Sequence, residues 1–174
     1  MQQTAPGHSV TPALYTPEQR RRRDASPWTL VQGLLAPVQF VVFLVSVWLV
    51  LRYLSTGEGL LAAHVSIVVK TLVLYLIMVT GAIWEKVVFG RYLFAPAFYW
   101  EDVFSMLVLA LHTAYLAALF GGLLATEQLL YLALAAYAAY VINAAQFVLK
   151  LRAARLAAAA ADGLAAGSAV GVAE

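Results

Sequence analysis

Four long apolar stretches, separated by short polar punctuation, set the pattern of this chain. The first predicted helix runs from Pro27 to Tyr53 and carries Gln32, Pro37 and Gln39, with Pro37 expected to kink it. Gly57-Glu58-Gly59 then reads as a tight turn. A second helix starts near Leu60 and is apolar to Ile83; its pattern extends to Phe89 if Gly90 is the terminator. A third begins between Pro96 and Val103 and ends at Gly121-Gly122, and a fourth covers about Leu129–Leu149. Each stretch is long enough to cross a hydrocarbon core of roughly 30 Å.

Ahead of them, Thr16-Pro17-Glu18-Gln19 has the form of a capping box with proline at the first helical position, so a short interfacial helix through Arg20–Arg23 is expected. Ser26-Pro27 restarts the chain in the same way. Residues 1–14 read as disordered. From Arg152 the tail is rich in alanine and glycine and reads as low complexity, a frayed extension of the last helix followed by disorder. This divides the chain into an N-terminal segment 1–26, a membrane domain 27–151 and a tail 152–174. No cleavable signal is read, because the apolar stretch after Arg23 is too long for one.

Composition agrees with the pattern: 63% of the 174 residues are hydrophobic and 11% charged. The predicted class is an all-α integral membrane protein, four transmembrane helices in an up-down bundle. Lysine and arginine number nine in the N-terminal segment, the second connection and the C-terminal flank together, against one, Arg52, in the other two connections. The positive-inside rule then puts the N and C termini in the cytoplasm. A net charge of +2 gives no reason to expect nucleic acid. The absence of cysteine excludes disulfides, thiolate catalysis and cysteine-held metal.

Polar groups gather towards the expected cytoplasmic end. If the second helix reaches Gly90 and the third starts near Pro96, Glu85 and Glu101 lie at one depth, on the order of 7–8 Å from the turn. Asp102 and Lys86 are their chain neighbours, and Gln32, Asn143 and Gln146 come to the same level from the first and last helices. Glu101, Ser105 and His112 share a face. Solvated charges at helix ends, and amides serving only as helix–helix contacts, are the plainer alternatives. Lys70 falls near mid-membrane, either reaching outward or uncharged; His64 and His8 read as surface residues.

The segment Trp84–Asp102 is the most informative, with seven aromatic residues in nineteen. An interfacial aromatic belt explains part of it. Aromatics interleaved with carboxylates, Lys86 and Arg91 also suit a flat, amphipathic, anionic ligand arriving from the inner leaflet.

Three stretches carry a resemblance: TPEQRRRRDASPWTLVQGLLAPVQFVVFLVS from Thr16, MVTGAIWEKVVFGRYLFAPAFYWEDVFSMLVLALHTAYLAAL from Met78, and AYVINAAQFVLKLRAARL from Ala139. Over residues 12–156 the chain resembles the 3-vinyl (2-vinyl) bacteriochlorophyllide hydratase family. The resemblance implies a hydro-lyase of bacteriochlorophyll synthesis in photosynthetic bacteria. Such an enzyme adds water to the C3-vinyl group of chlorophyllide a or 3-vinyl bacteriochlorophyllide a, giving the 3-(1-hydroxyethyl) product. It implies a chlorophyllide-type substrate, the lipid bilayer of the cytoplasmic or intracytoplasmic photosynthetic membrane as surroundings, and other enzymes of the same synthesis as neighbours. No cofactor is expected, the magnesium being part of the substrate, and no protein metal site.

Chemistry, rather than the resemblance, suggests roles. Vinyl hydration asks for a carboxylic acid that stays protonated and a second group that takes a proton from water. Glu85 and Glu101 are the candidate pair, Asp102 the alternate, and His112 a further candidate for either role or for the substrate's magnesium. Lys86 or Arg91 would hold the propionate. Trp84, Tyr99 and Trp100 would stack on the ring, with Gln32, Asn143 and Gln146 as polar contacts. A non-catalytic tetrapyrrole-binding or pigment-assembly protein would use the same pocket. A small transporter fits less well with polar groups at one end only.

Overall fold

The computed structural model describes residues 14–170, with side chains through Ala160. Five helices follow in order: α1 Pro17–Ala25, α2 Pro27–Thr56, α3 Leu60–Phe89, α4 Tyr99–Gly121 and α5 Thr126–Val170. The last four are long and apolar enough to cross a membrane, which makes this a multi-pass membrane protein. The disorder expected for residues 1–14 falls, Leu14 apart, outside the described residues.

Local chemistry sets the boundaries. Thr16 caps α1 through the predicted box: its hydroxyl accepts from the Gln19 amide at 3.2 Å while the Gln19 side chain accepts from the Thr16 amide at 2.9 Å. Ser26 caps α2 by accepting from the Trp28 amide, and Pro37 stands inside α2 without ending it. At the end of α3, Gly90 takes a left-handed φ of 84° and its N–H donates to the Lys86 carbonyl, a closure that a Cβ would strain. The helix therefore keeps its full length, and Glu85 stays within it.

The fourth spanning helix was expected to cover about Leu129–Leu149 with a frayed extension and then disorder; α5 runs from Thr126 to Val170, so the extension takes in most of the tail. The alanine-rich composition that reads as low complexity is also the best helix-forming composition available, so nothing local ends the helix at the bundle's edge.

Lipid supplies no hydrophobic drive for helix association, so packing and interhelical hydrogen bonds carry it. Gln32 donates to Thr80 at 2.7 Å, Ser46 and Ser66 share a bond of 2.7 Å, and Tyr75 and Thr113 one of 2.8 Å. Asn143 donates to Ser105 at 2.8 Å. Such bonds contribute about 0.6 kcal/mol each. Around them, Phe43, Ile67, Tyr115 and Leu130 pack in the largest apolar cluster, away from the α3–α4 connection. Tyr15, Val88 and Phe98 form a smaller one beside it, with Trp84, Phe89 and Phe147 against its edge. Trp48, Leu72 and Val79 are exposed on the outer faces, where lipid would meet them.

Candidate active site at the α3–α4 hairpin

One stripe of α4 is buried from end to end: Glu101, Asp102, Ser105, Val108, His112 and Tyr115. Its first turn abuts the end of α3, where Glu85 is also buried, and the middle of α5, which brings Lys150. The three carboxyl groups there are 4–6% exposed, too little for solvated helix-end charges.

Each of them has a specific partner. Asp102 accepts from the Phe94 amide at 2.7 Å, and Glu85 accepts from the Ala95 amide at 3.2 Å. Two consecutive amides of the connecting loop thus end on two acids from different helices. Phe94 sits at φ 58°, in the left-handed region, where a non-glycine residue costs on the order of 1–2 kcal/mol. The Asp102 bond holds it there. The two acids thus converge beneath the same stretch of loop, one on each of two successive amides.

Glu101 is engaged differently. Lys150 donates to its carboxylate at 2.5 Å and to the Ala97 carbonyl at 2.6 Å. The expected pairing of Glu85 with Glu101 is therefore corrected. Equal depth along two helices does not fix which side of α4 faces α3; Asp102, one residue on, meets the loop amide next to the one Glu85 meets, and Glu101 faces α5. Sequence reasoning had used Lys150 only as an orientation charge. Its signal was present, because Lys150 lies seven residues after Asn143 and so on the same helix face.

The other predicted residues divide by location. Trp84 donates from its indole to Thr29 at 3.0 Å, and Gln32 meets Thr80 one turn deeper. Asn143 is bonded to Ser105, while its carbonyl oxygen and that of Gln146 are buried without a protein partner. Lys86 and Arg91 are exposed; Lys86 donates to the Gly90 carbonyl at 2.9 Å and lies 5.3 Å from the Tyr92 ring centre. Tyr99 and Trp100 are exposed as well. Acids thus line the interior, and the cations and aromatics expected to grip a ligand form its outer rim. Among the described residues no cluster of three or more His, Asp or Glu has the geometry of a metal site.

His112 is fully buried ten residues from Asp102, a rise of about 15 Å along α4. It is not a neighbour of the acid pair. Lys70 does not reach outward: it is fully buried, with Nζ 3.8 Å from the Tyr140 ring centre. His64, expected at the surface, shares a 2.6 Å hydrogen bond with the Tyr115 hydroxyl. His8 lies outside the described residues. With Gln39, Ser46 and Thr71 also buried, polar side chains extend to mid-depth and beyond, past the end where most of the ionisable and amide groups gather.

Comparison with known proteins agrees with the family read from the sequence. The model of the 2-vinyl bacteriochlorophyllide hydratase family matches residues 15–153. A protein of Rhodobacter capsulatus named 2-vinyl bacteriochlorophyllide hydratase is 66% identical over 158 residues, 91% of this chain and 92% of its own length. One of Cereibacter sphaeroides with the same name is 67% identical over 156 residues, 90% of this chain and 96% of its own. No solved structure matches. Matched along nearly its whole length by proteins of one name, the chain belongs to the 2-vinyl bacteriochlorophyllide hydratase family.

Proposed function

We propose that this protein hydrates the C3-vinyl group of chlorophyllide a or 3-vinyl bacteriochlorophyllide a to the 3-(1-hydroxyethyl) product. The observation that carries the reading is the burial of Glu85 and Asp102 beneath the α3–α4 loop, each held by one of two successive loop amides. Two carboxyl groups brought together out of water cannot both ionise easily, so one keeps its proton, which is the form of carboxyl a general acid needs.

The reaction then runs in two steps. One member of the pair gives its proton to the terminal CH₂, leaving a cation on the ring-attached carbon, delocalised into the macrocycle. Water adds to that carbon, and its surplus proton returns to the pair. Atoms and charge balance, and no cofactor is used; magnesium enters as part of the substrate. Glu101 and Lys150 act as positioning residues, holding α4, α5 and the loop together around the acids. Lys86 or Arg91 meets the propionate at the rim, and Tyr99 and Trp100 cover the ring.

The four spanning helices run up and down with both termini in the cytoplasm, supported by the nine-to-one lysine and arginine distribution. Contacts between α2 and α3 fit this course, since Gln32 meets Thr80 while Ser46, further along α2, meets Ser66, earlier in α3. The hairpin then faces the cytoplasm, from the inner or intracytoplasmic photosynthetic membrane of the bacterium, within reach of enzymes that precede and follow in bacteriochlorophyll synthesis.

Mass-resolved pigment analysis of membranes containing this chain, supplied with chlorophyllide a, tests the reaction. A product heavier by one water is expected. Binding with no change of mass would instead make the protein a pigment carrier.

A further inference from the structure

Gln39, Lys70 and His112 come from three different helices, are 0–1% exposed, and carry polar atoms with no hydrogen-bond partner among the described residues: both side-chain polar atoms of Gln39, Nζ of Lys70 and Nε2 of His112. They belong to one neighbourhood. Lys70 Nζ lies 3.8 Å from the Tyr140 ring centre, and the His112 ring lies 5.8 Å from that of Tyr137, on the same face of α5. Gln39 lies midway between Gln32 and Ser46, seven residues from each, so the pairs with Thr80 and Ser66 set it opposite residue 73, less than a turn from Lys70. No acidic side chain forms an ion pair with Lys70 among the described residues.

Buried polar atoms rarely stay unpaired, because each costs about 1–3 kcal/mol when it does. The donor inventory identifies the partner. His112 Nδ1 lies 2.8 Å from the Val108 carbonyl, which can only accept, so the ring proton is on Nδ1 and Nε2 offers a lone pair. Gln39 offers one donor group and one acceptor. Lys70, as an ammonium, offers donors alone. A metal cation is disfavoured by that ammonium, and a carboxylate or other simple anion has no hydrogen to give Nε2. The guest must accept from Lys70 and Gln39 and donate to His112.

We propose that Gln39, Lys70 and His112 form a buried water-binding site at mid-depth of the bundle. The unpartnered oxygens of Asn143 and Gln146 are further acceptors on the side towards the hairpin, and mark the course by which water reaches it. The site goes beyond the hydratase reading and is independent of it: a pigment carrier with this core would hold the same water.

Radiolytic hydroxyl-radical labelling of the full chain in membranes, read by mass spectrometry, tests the site. Radicals form only where water is held, so oxidation of fully buried His112 should exceed that of lipid-facing Trp48 by on the order of tenfold. Labelling of His112 at or below the Trp48 level overturns the proposal. Thermal unfolding gives a second readout. If the site is dry, Lys70→Met removes an uncompensated group and raises Tm, which also overturns it; a lowered Tm, with His112 labelling reduced, supports it. Neither readout uses pigment, so both stand apart from the hydration assay.

Discussion

The hairpin end and the middle of the bundle both bury ionisable side chains, but they satisfy them in opposite ways. At the hairpin every carboxyl has a partner within the protein: loop amides for Glu85 and Asp102, Lys150 for Glu101. At mid-depth, Lys70, Gln39 and one nitrogen of His112 have no hydrogen-bond partner among the described residues. A closed network of charges fixes geometry, whereas open valences fix a guest. The first suits the positioning of an acid; the second suits the holding of a small molecule.

The largest test of this contrast is catalytic. Glu85→Gln and Asp102→Asn keep shape and remove the acid, and each should lower vinyl hydration by about 10²–10⁴-fold with pigment binding retained. Near-normal turnover in both would move the chemistry away from the hairpin. Next in size, Lys150→Met leaves Glu101 buried without its cation and should cost about 3 kcal/mol in unfolding measurements. Adding Glu101→Leu to that variant should restore most of the loss, since an apolar pair replaces a broken ionic one; no recovery would mean that the Ala97 contact matters more. In the middle of the bundle, Ser46→Ala strands the buried Tyr137 hydroxyl, now 2.5 Å from the serine oxygen, and should cost about 1 kcal/mol. The smallest effect is expected from Trp84→Phe, which gives up one bond to Thr29 at about 0.6 kcal/mol and keeps the aromatic packing.

Much of the fold was legible because its signals are local. Thr16, Gly90 and the length of the apolar runs each act through their own segment, and the elements they predict are present. The site was legible in depth but not in azimuth. Counting from Gly90 gave Glu85 its level, but whether Glu101 or Asp102 faces it depends on the rotation of α4 against α3, which packing along the whole helix decides. Of the two readings left open for Lys70 the sequence could not choose, because a lone lysine has only a cost to consider, whereas its neighbour Tyr140 comes from another helix. Gln32, Gln39 and Ser46, spaced by sevens, did hold a clue that α2 carries a polar seam to mid-depth.

Phe94 and Ala95 are tied to the same two carboxyls that the proposed chemistry would use to move a proton. A carboxyl that has given up its proton is the stronger acceptor for a backbone N–H. In the proposed reaction the loop would therefore be held hardest while the cation exists and less tightly once the proton returns. The left-handed turn at Phe94, kept in place by the Asp102 bond, would feel the same proton transfer as the substrate.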